Sequence, residues 1–335
     1  MTEGLKGVEI LADVIRRYYD VGEVQLPYYL PNAHQHRHRK LVVDTAAGKF
    51  MVKTYRNDPH VLDSLRFQHR LSHHLDRNGV PVARIKRGAD GKSIVALETW
   101  AMELQEFVEA EPMDVSAETL AISAAALGRF HLVCREVPRP PRDTRMWRFS
   151  EVPRASFAKM YELAKEQGEE AEAAECCNKI ALFLHKASSE LSWEARNKFE
   201  TGLIHGDWHG GNLLFKNNHL AAVIDLEFAG DGCYLEDMSY AISNLCVRTT
   251  NRPERLHKRV NILLDNYQSF RALSHHENVA LPYAVGVKHV TTVAYQIVQF
   301  KKGVLAGLDA MEWMRRLSEQ CEWLEAKARK AKFGR

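Results

Sequence analysis

Apolar positions fall into two regimes along the chain. Val8, Leu11, Ala12 and Ile15 recur at helical spacing, which predicts a helix over residues 8–19. Leu41-Val42-Val43 and Phe50-Met51-Val52 are short β-prone runs. Thr45-Ala46-Ala47-Gly48 between them predicts a hairpin whose turn uses the glycine. A second helix is predicted from Pro59, since proline suits a first helical turn. It runs through Leu62, Leu65, Leu71 and Leu75 and stops at Asn78-Gly79. Val82 to Ile85 and Ser93 to Leu97 read as strands about the turn Ala89-Asp90-Gly91, and Glu103 to Val108 alternates like a further strand. Residues 1–108 therefore predict a small, mostly antiparallel sheet with one packed helix.

Beyond Val108 the period changes. Thr119 to Val133 predicts a long apolar helix, and Pro138, Pro140, Pro141 and Pro153 make residues 138–153 a loop. Residues 154–199 read as helices, with Glu169, Glu170, Glu172 and Glu175 as a solvated acidic face. From Tyr234 to the end the pattern is again helical. A sheet-rich first lobe, residues 1–108, and a helical second lobe, residues 109–335, predict the α+β class. A cleft between two such lobes is a usual place for a ligand.

Composition narrows the partners. The 335 residues suffice for two buried cores, and 45% hydrophobic with 27% charged residues is ordinary for a globular protein. A formal net charge of +3 is too small to argue for nucleic acid or an anionic membrane as a partner. No apolar run approaches a bilayer span, and Met1-Thr2-Glu3-Gly4 opens no signal peptide. Cys134, Cys176, Cys177, Cys233, Cys246 and Cys321 form no C-x-x-C pair, which predicts reduced thiols and a cytoplasmic setting.

The chemistry sits between the helical runs. His205-Gly206-Asp207-Trp208-His209-Gly210-Gly211-Asn212 is a polar loop followed by the apolar run Leu213-Leu214-Phe215. A turn at Lys216-Asn217-Asn218-His219 leads to Ala221-Ala222-Val223-Ile224 and then Asp225-Leu226-Glu227. Asp207, Asn212 and Asp225 lie just outside the two strands, so hairpin closure can bring them together. Phosphoryl transfer needs a carboxylate to accept the proton of the attacking hydroxyl and oxygen ligands to hold a divalent cation on the phosphates. The protein-kinase loop H-R-D-L-x-x-x-N and its downstream D-F-G aspartate supply these parts, and Asp207, Asn212 and Asp225 keep that spacing.

The segment resembles the aminoglycoside phosphotransferase and choline kinase group of small-molecule kinases, whose loop reads H-G-D-x-H-x-x-N followed by I-D-x-[DE]. The resemblance implies a bilobal protein-kinase-like fold, with residues 1–108 as the nucleotide-binding lobe and residues 109–335 carrying the catalytic loop and acceptor site. It implies Asp207 as catalytic base, Asn212, Asp225 and Glu227 as ligands of Mg²⁺, and ATP as phosphate donor. Lys53 matches the strand lysine that holds the α- and β-phosphates. Glu103, Gln105 and Phe107 fall in the stretch that resembles the hinge over which adenine lies, and His205, His209 and Asp237 match positions that steady the loop. The implied partner is a small molecule offering a hydroxyl, such as homoserine, choline or ethanolamine, a sugar, methylthioribose or an aminocyclitol.

Two positions depart from the group. Where a helix glutamate usually pairs the strand lysine, this chain has Gln68, so either another acid reaches Lys53 or the lysine is held less firmly. In place of a glycine-rich phosphate loop stands the basic run from Asn32 to Lys40, which meets phosphate or is a solvated hairpin tip. His34, His36 and His38 within it would share one side of an extended segment, a metal reading set against the solvated loop. His73-His74 and His275-His276 read as helix-surface residues. Competing functions are a metal-dependent hydrolase using His205, Asp207 and His209, a non-catalytic nucleotide-binding or structural relative, and a protein kinase.

Overall fold

A computed structural model describes residues 2–30, 40–141, 154–250 and 252–334 of the chain. The histidines His34, His36 and His38, the phosphate-loop position at 32–39 and Pro153 lie outside the described residues. The chain divides into two compact units, Met1–Pro112 with Leu213–Glu227, and Met113–Asn212 with Phe228–Arg335.

The first unit opens with helix α1 (Thr2–Tyr18) and strands β1 (Tyr28–Tyr29), β2 (Lys40–Thr45) and β3 (Gly48–Arg56). Helix α2 (Pro59–Arg77) follows, then β4 (Ile85–Lys86), β5 (Val95–Ala96), β6 (Trp100–Glu106) and β7 (Glu111–Pro112). The sheet runs β1-β2-β3-β6-β4, with β5 also on β6, and its pairings are antiparallel. Apolar residues of α1 and the sheet, among them Ile15, Leu41, Val43, Val52, Met102 and Leu104, close one core. Helix α2 starts where Asp58 accepts backbone N–H groups of His60 and Val61, a side-chain cap ahead of Pro59.

Some strand limits differ from the pattern. Val82 makes only an isolated bridge to Val223, so the expected strand at 82–85 contracts to Ile85–Lys86. The last strand begins earlier than its alternation indicates, at Trp100, because Arg56 to Phe50 of β3 pair continuously with Trp100 to Glu106. That register sets Lys53 opposite Glu103, and cross-strand partners share a face.

Strands β9 (Leu213–Lys216) and β10 (His219–Val223) form a hairpin through Asn217 and Asn218. Both asparagines have positive φ, 50° and 62°, as a two-residue primed turn requires. Strand β7 pairs with β9, which draws residues 213–227 into the first unit rather than the helical one.

The second unit holds α3 (Ala117–Val133), α4 (Arg154–Gln167), α5 (Glu170–Glu190), the short α6 (Trp193–Arg196) and strand β8 (Thr201–Ile204). After β11 (Gly230–Cys233), antiparallel to β8, come α7 (Tyr234–Ala241), α8 (Pro253–Gln268), α9 (His275–Lys301) and α10 (Ala310–Phe333). Helix α9 packs on α10, α5 and α7. Ser116 and Thr119 exchange side-chain and backbone hydrogen bonds as a capping box at the start of α3. Glu170 and Glu172 of the acidic run stand in the first turn of α5, where Glu172 accepts from both Nε and Nη2 of Arg315. All six thiols are free. No helix among the described residues is long and apolar enough to cross a membrane.

Candidate active site

In the first unit the site is built around Lys53. Its register on β3 sets it against Glu103 on β6, with Nζ 3.7 Å from Oε1. Glu103 is 1% exposed. Such a carboxylate survives only with several partners, and it has them. Tyr55 donates its hydroxyl to Oε1 at 3.0 Å, Gln105 donates Nε2 to the same oxygen at 2.8 Å, and His69 from α2 is hydrogen-bonded to Oε2. Burial pushes the Glu103 carboxyl up, but the His69 hydrogen bond and the Lys53 charge outweigh it and hold it below the usual range. His69 is fixed in turn by Ser93, 2.7 Å from its Nδ1.

This network resolves the departure at Gln68. Gln68 donates to Ser64 on its own helix, at 3.1 Å, and the next residue, His69, faces the sheet. The acid that reaches Lys53 comes from the sheet, and the helix contributes an imidazole. Glu103 is thereby corrected: its side chain is buried on Lys53 within β6, not set in an adenine-lining hinge. Gln105 has its amide on Glu103, and Phe107 lies under the Lys49 ammonium, 5.5 Å from the ring centre, while its N–H donates to the Lys49 carbonyl.

Asp225 and Glu227 belong to the same unit, at the end of the β9–β10 hairpin. The N–H of Val223 donates to the Pro81 carbonyl and anchors that strand end. Asp225 then takes φ of 66°, a left-handed conformation uncommon outside glycine, asparagine and aspartate. The negative charges of Asp225 and Glu227 reach Tyr55: burial first, then Glu103 and these two acids push its hydroxyl far up. Lys53, Tyr55, Glu103 and the two acids thus form one charged cluster.

Glu103→Gln is expected to destabilise the protein by about 3 kcal/mol, since one partner of a buried ion pair is removed. With Lys53 as the expected phosphate ligand, the KM for ATP is expected to rise as that lysine loses its anchor. Thermal unfolding and ATP-dependence of turnover measure both, and a melting temperature within a degree of wild type would contradict the assignment.

The second unit holds the loop from His205 to Asn212. Asp237, in the first turn of α7, is 1% exposed, and its two oxygens accept the backbone N–H of His205 at 2.7 Å and of Gly206 at 2.8 Å. Gly206 has φ of 80°, which glycine adopts without cost. His131 of α3 completes the anchor, with Nε2 3.0 Å from Asp237 and Nδ1 2.8 Å from the Tyr267 hydroxyl. Burial lowers the His131 pKa despite Asp237, so the ring is neutral; Nε2–H donates to the carboxylate and Nδ1 accepts from Tyr267. Burial pushes Asp237 up, and the hydrogen bonds from His131 and the backbone donors hold it below the usual carboxylate range.

Asp207 projects from this anchored loop. Asn212 donates Nδ2 to its Oδ2 at 2.9 Å and to its carbonyl at 3.0 Å, and His209 Nε2 stands 3.3 Å from Oδ2. The N–H of Gly211 donates to His209 Nδ1, which leaves the proton on the nitrogen facing Asp207. Burial pushes Asp207 up, but His209, His205 and a hydrogen bond from Tyr240 together lower it. Burial and the Asp207 charge push the Tyr240 hydroxyl well up, so it stays a donor. After α7 the helix widens into π-helical turns, Ile242–Val247, where Asn244 accepts the N–H of Gly210 at 3.4 Å.

Within this unit the structure brings Asp207, Asn212, His205, His209 and Asp237 together. His205, buried beside Phe130 and Trp208, accepts the Asp207 N–H on Nδ1 at 3.2 Å. It faces its own loop, which removes it from an H-x-D-x-H metal centre. Among the described residues no three histidine, cysteine or acidic side chains gather to hold a metal. Sequence reasoning missed Tyr55, His69, His131 and Tyr240. The one signal for His131 is a histidine on the apolar stripe of a helix, in line with the buried Ala124 and Leu127.

A buried lysine–glutamate pair, a pair of acids after a β-hairpin and an ionised aspartate in an anchored H-G-D loop define an ATP-dependent phosphotransferase acting on a small-molecule hydroxyl. The chain belongs to the phosphotransferase enzyme family, whose sequence profile matches residues 29–273. It is 25% identical to the homoserine kinase of Nitrobacter hamburgensis over 319 residues, covering 92% of this chain and 91% of that one. The homoserine kinase of Mesorhizobium japonicum is likewise 25% identical, over 90% of each chain. The solved aminoglycoside phosphotransferase of Alicyclobacillus acidocaldarius superposes with a TM-score of 0.71 at 15% identity, covering 96% of this chain and 95% of that one. A microcompartment-associated aminopropanol kinase does so with a TM-score of 0.63 at 19% identity, covering 96% and 98%. The fold is therefore the α+β, protein-kinase-like one.

Proposed function

We propose that the acceptor is a small amino alcohol bearing a carboxylate, with homoserine the first candidate. The observation that carries this is a pair of cations acting on Tyr240, the residue that hydrogen-bonds Asp207. Lys288 of α9, 9% exposed, places Nζ 4.9 Å from the ring centre of Tyr240, whose hydroxyl bonds Asp207. The Arg248 charge also acts on Tyr240. A carboxylate on the acceptor would meet these cations while its hydroxyl meets Asp207. Likeness to the homoserine kinases of Nitrobacter and Mesorhizobium supports the same reading.

In the proposed reaction Asp207 accepts the hydroxyl proton as the acceptor oxygen bonds the γ-phosphorus, and the bond from that phosphorus to the ADP oxygen breaks. Lys53, held by Glu103, neutralises the α- and β-phosphates. Asp225, Glu227 and the Asn212 side-chain oxygen are hard oxygen donors of the kind Mg²⁺ takes, and Asn212 has that oxygen to offer because its nitrogen is committed to Asp207. The cation, when bound, would screen charge developing on the phosphates. Gln105 and Phe107 remain proposed neighbours of the adenine, and residues 1–108 the nucleotide-binding part.

Homoserine-dependent ADP release tests the acceptor. Lys288→Met is expected to raise the KM for homoserine about tenfold, the worth of one charge-assisted contact. The KM for an amino alcohol without a carboxylate should not move. Equal effects on both acceptors, or no ADP release with homoserine, would contradict the proposal.

A further inference from the structure

The first unit carries a second concave site, away from Asp225 in sequence and on the opposite side of the Glu103 network from Lys53 in bonding order. It is a cavity of about 520 Å³ between the later turns of α2 and the connection from β4 to β5. Its walls include Arg66, Arg70, His73, Arg77 and Arg87, and among its lining residues there is no carboxylate. Its floor is the buried His69, whose Nδ1 meets Ser93.

Arg66, Arg70, His73 and Arg77 are spaced four, three and four residues apart, so they form one stripe on α2, on the order of 16 Å long at the helical rise. Like charges at this spacing disfavour the helix that bears them. Favourable interaction with the helix C-terminus accounts for Arg77 in the last turn but not for Arg66 and Arg70 in the middle. Arg66 is paired with Asp63 at 2.6 Å. Arg70, His73 and Arg77 have no ion-pair partner among the described residues. Arg87 is turned toward the same space, with one nitrogen on the Gly91 carbonyl at 2.9 Å and its other donors uncommitted among the described residues.

Several planar guanidinium groups converging on a concave, acid-free space form a receptor for phosphate oxygens. The size suits a small molecule rather than an extended polymer. We propose that this cavity binds a small, multiply charged phosphate compound at a site distinct from the one that holds ATP for transfer. The proposal does not depend on which acceptor the enzyme uses.

The test is calorimetric titration with inorganic tripolyphosphate, with citrate as a carboxylate of comparable charge. The probe should bind wild type and Lys53→Met with similar affinity, and Arg70→Glu/Arg77→Glu at least ten times more weakly. Both arginines are exposed, and Arg70→Gln/Arg77→Gln repeats the comparison without reversing charge. Loss of binding in both pairs of variants, with an unchanged melting temperature, supports the site. Binding that survives in both, or that disappears in Lys53→Met, overturns it. Citrate binding as tightly as tripolyphosphate overturns the assignment to phosphate.

Discussion

Asp207→Ala is expected to lower kcat about a thousand-fold, within the usual range for removing a general base. The affinity for ATP should change by less than about twofold, because Lys53, the proposed phosphate ligand, and Asp225 and Glu227, the proposed metal ligands, are untouched. The separation of the two effects follows from the geometry. Asp207 is held by Asn212, His209 and Tyr240, and in the alanine variant Asn212 keeps its second hydrogen bond, to the carbonyl of residue 207. Asp207→Asn should be as damaging as alanine, since an amide of the same shape cannot take a proton from a hydroxyl. Single-turnover rates and equilibrium nucleotide titration measure the two quantities separately. A variant that loses ATP binding in proportion to rate would make Asp207 a nucleotide ligand instead.

The second large effect lies behind the loop. Asp237→Ala leaves the N–H groups of His205 and Gly206 and the ring N–H of His131 without their acceptor, all of them buried. Each orphaned donor costs roughly 1–3 kcal/mol, so a loss of about 4 kcal/mol of stability is expected. Turnover should fall about a hundred-fold as the loop carrying Asp207 drifts from place. The same residue sets a pH dependence. Its folded-state pKa is depressed, so the unfolded chain binds the proton more readily. The stabilisation is therefore complete above the ordinary carboxylate range and is lost as pH falls through it toward the folded value. Glu103 and Asp207 add in the same direction. Urea midpoints should be flat near neutrality and fall on acidification, and Asp237→Asn should fall less steeply than wild type. A steeper acid limb in Asp237→Asn would contradict the sign.

Much of this was readable in the sequence because it is local. The hairpin from Leu41 to Val52, the helix after Pro59 and the loop from His205 to Asn212 are each dictated by residues near one another in the chain. Their apolar period, caps and turns survive folding unchanged. What escaped reading depends on register between distant segments. Glu103 pairs Lys53 only because β3 and β6 align those two positions, and alternation within either strand cannot reveal the offset. His69 and Gln68 are neighbours on α2, and only the rotation of the helix against the sheet decides which of them meets the acid. His131 is joined to Asp237 across 106 residues and to Tyr267 across 136, through packing of α3, α7 and α8. The return of residues 213–227 to the first unit needed the β7–β9 pairing, whose strand β7 is two residues long and has no period to detect.

Phosphorus NMR on mixtures of ATP with homoserine, other amino alcohols and sugars tests the central claim most directly. With wild-type protein the account predicts that one acceptor yields ADP and a phosphomonoester in equal amounts, and that Asp207→Ala yields neither. ADP accompanied only by inorganic phosphate with every acceptor, or undiminished phosphomonoester from the alanine variant, would contradict it.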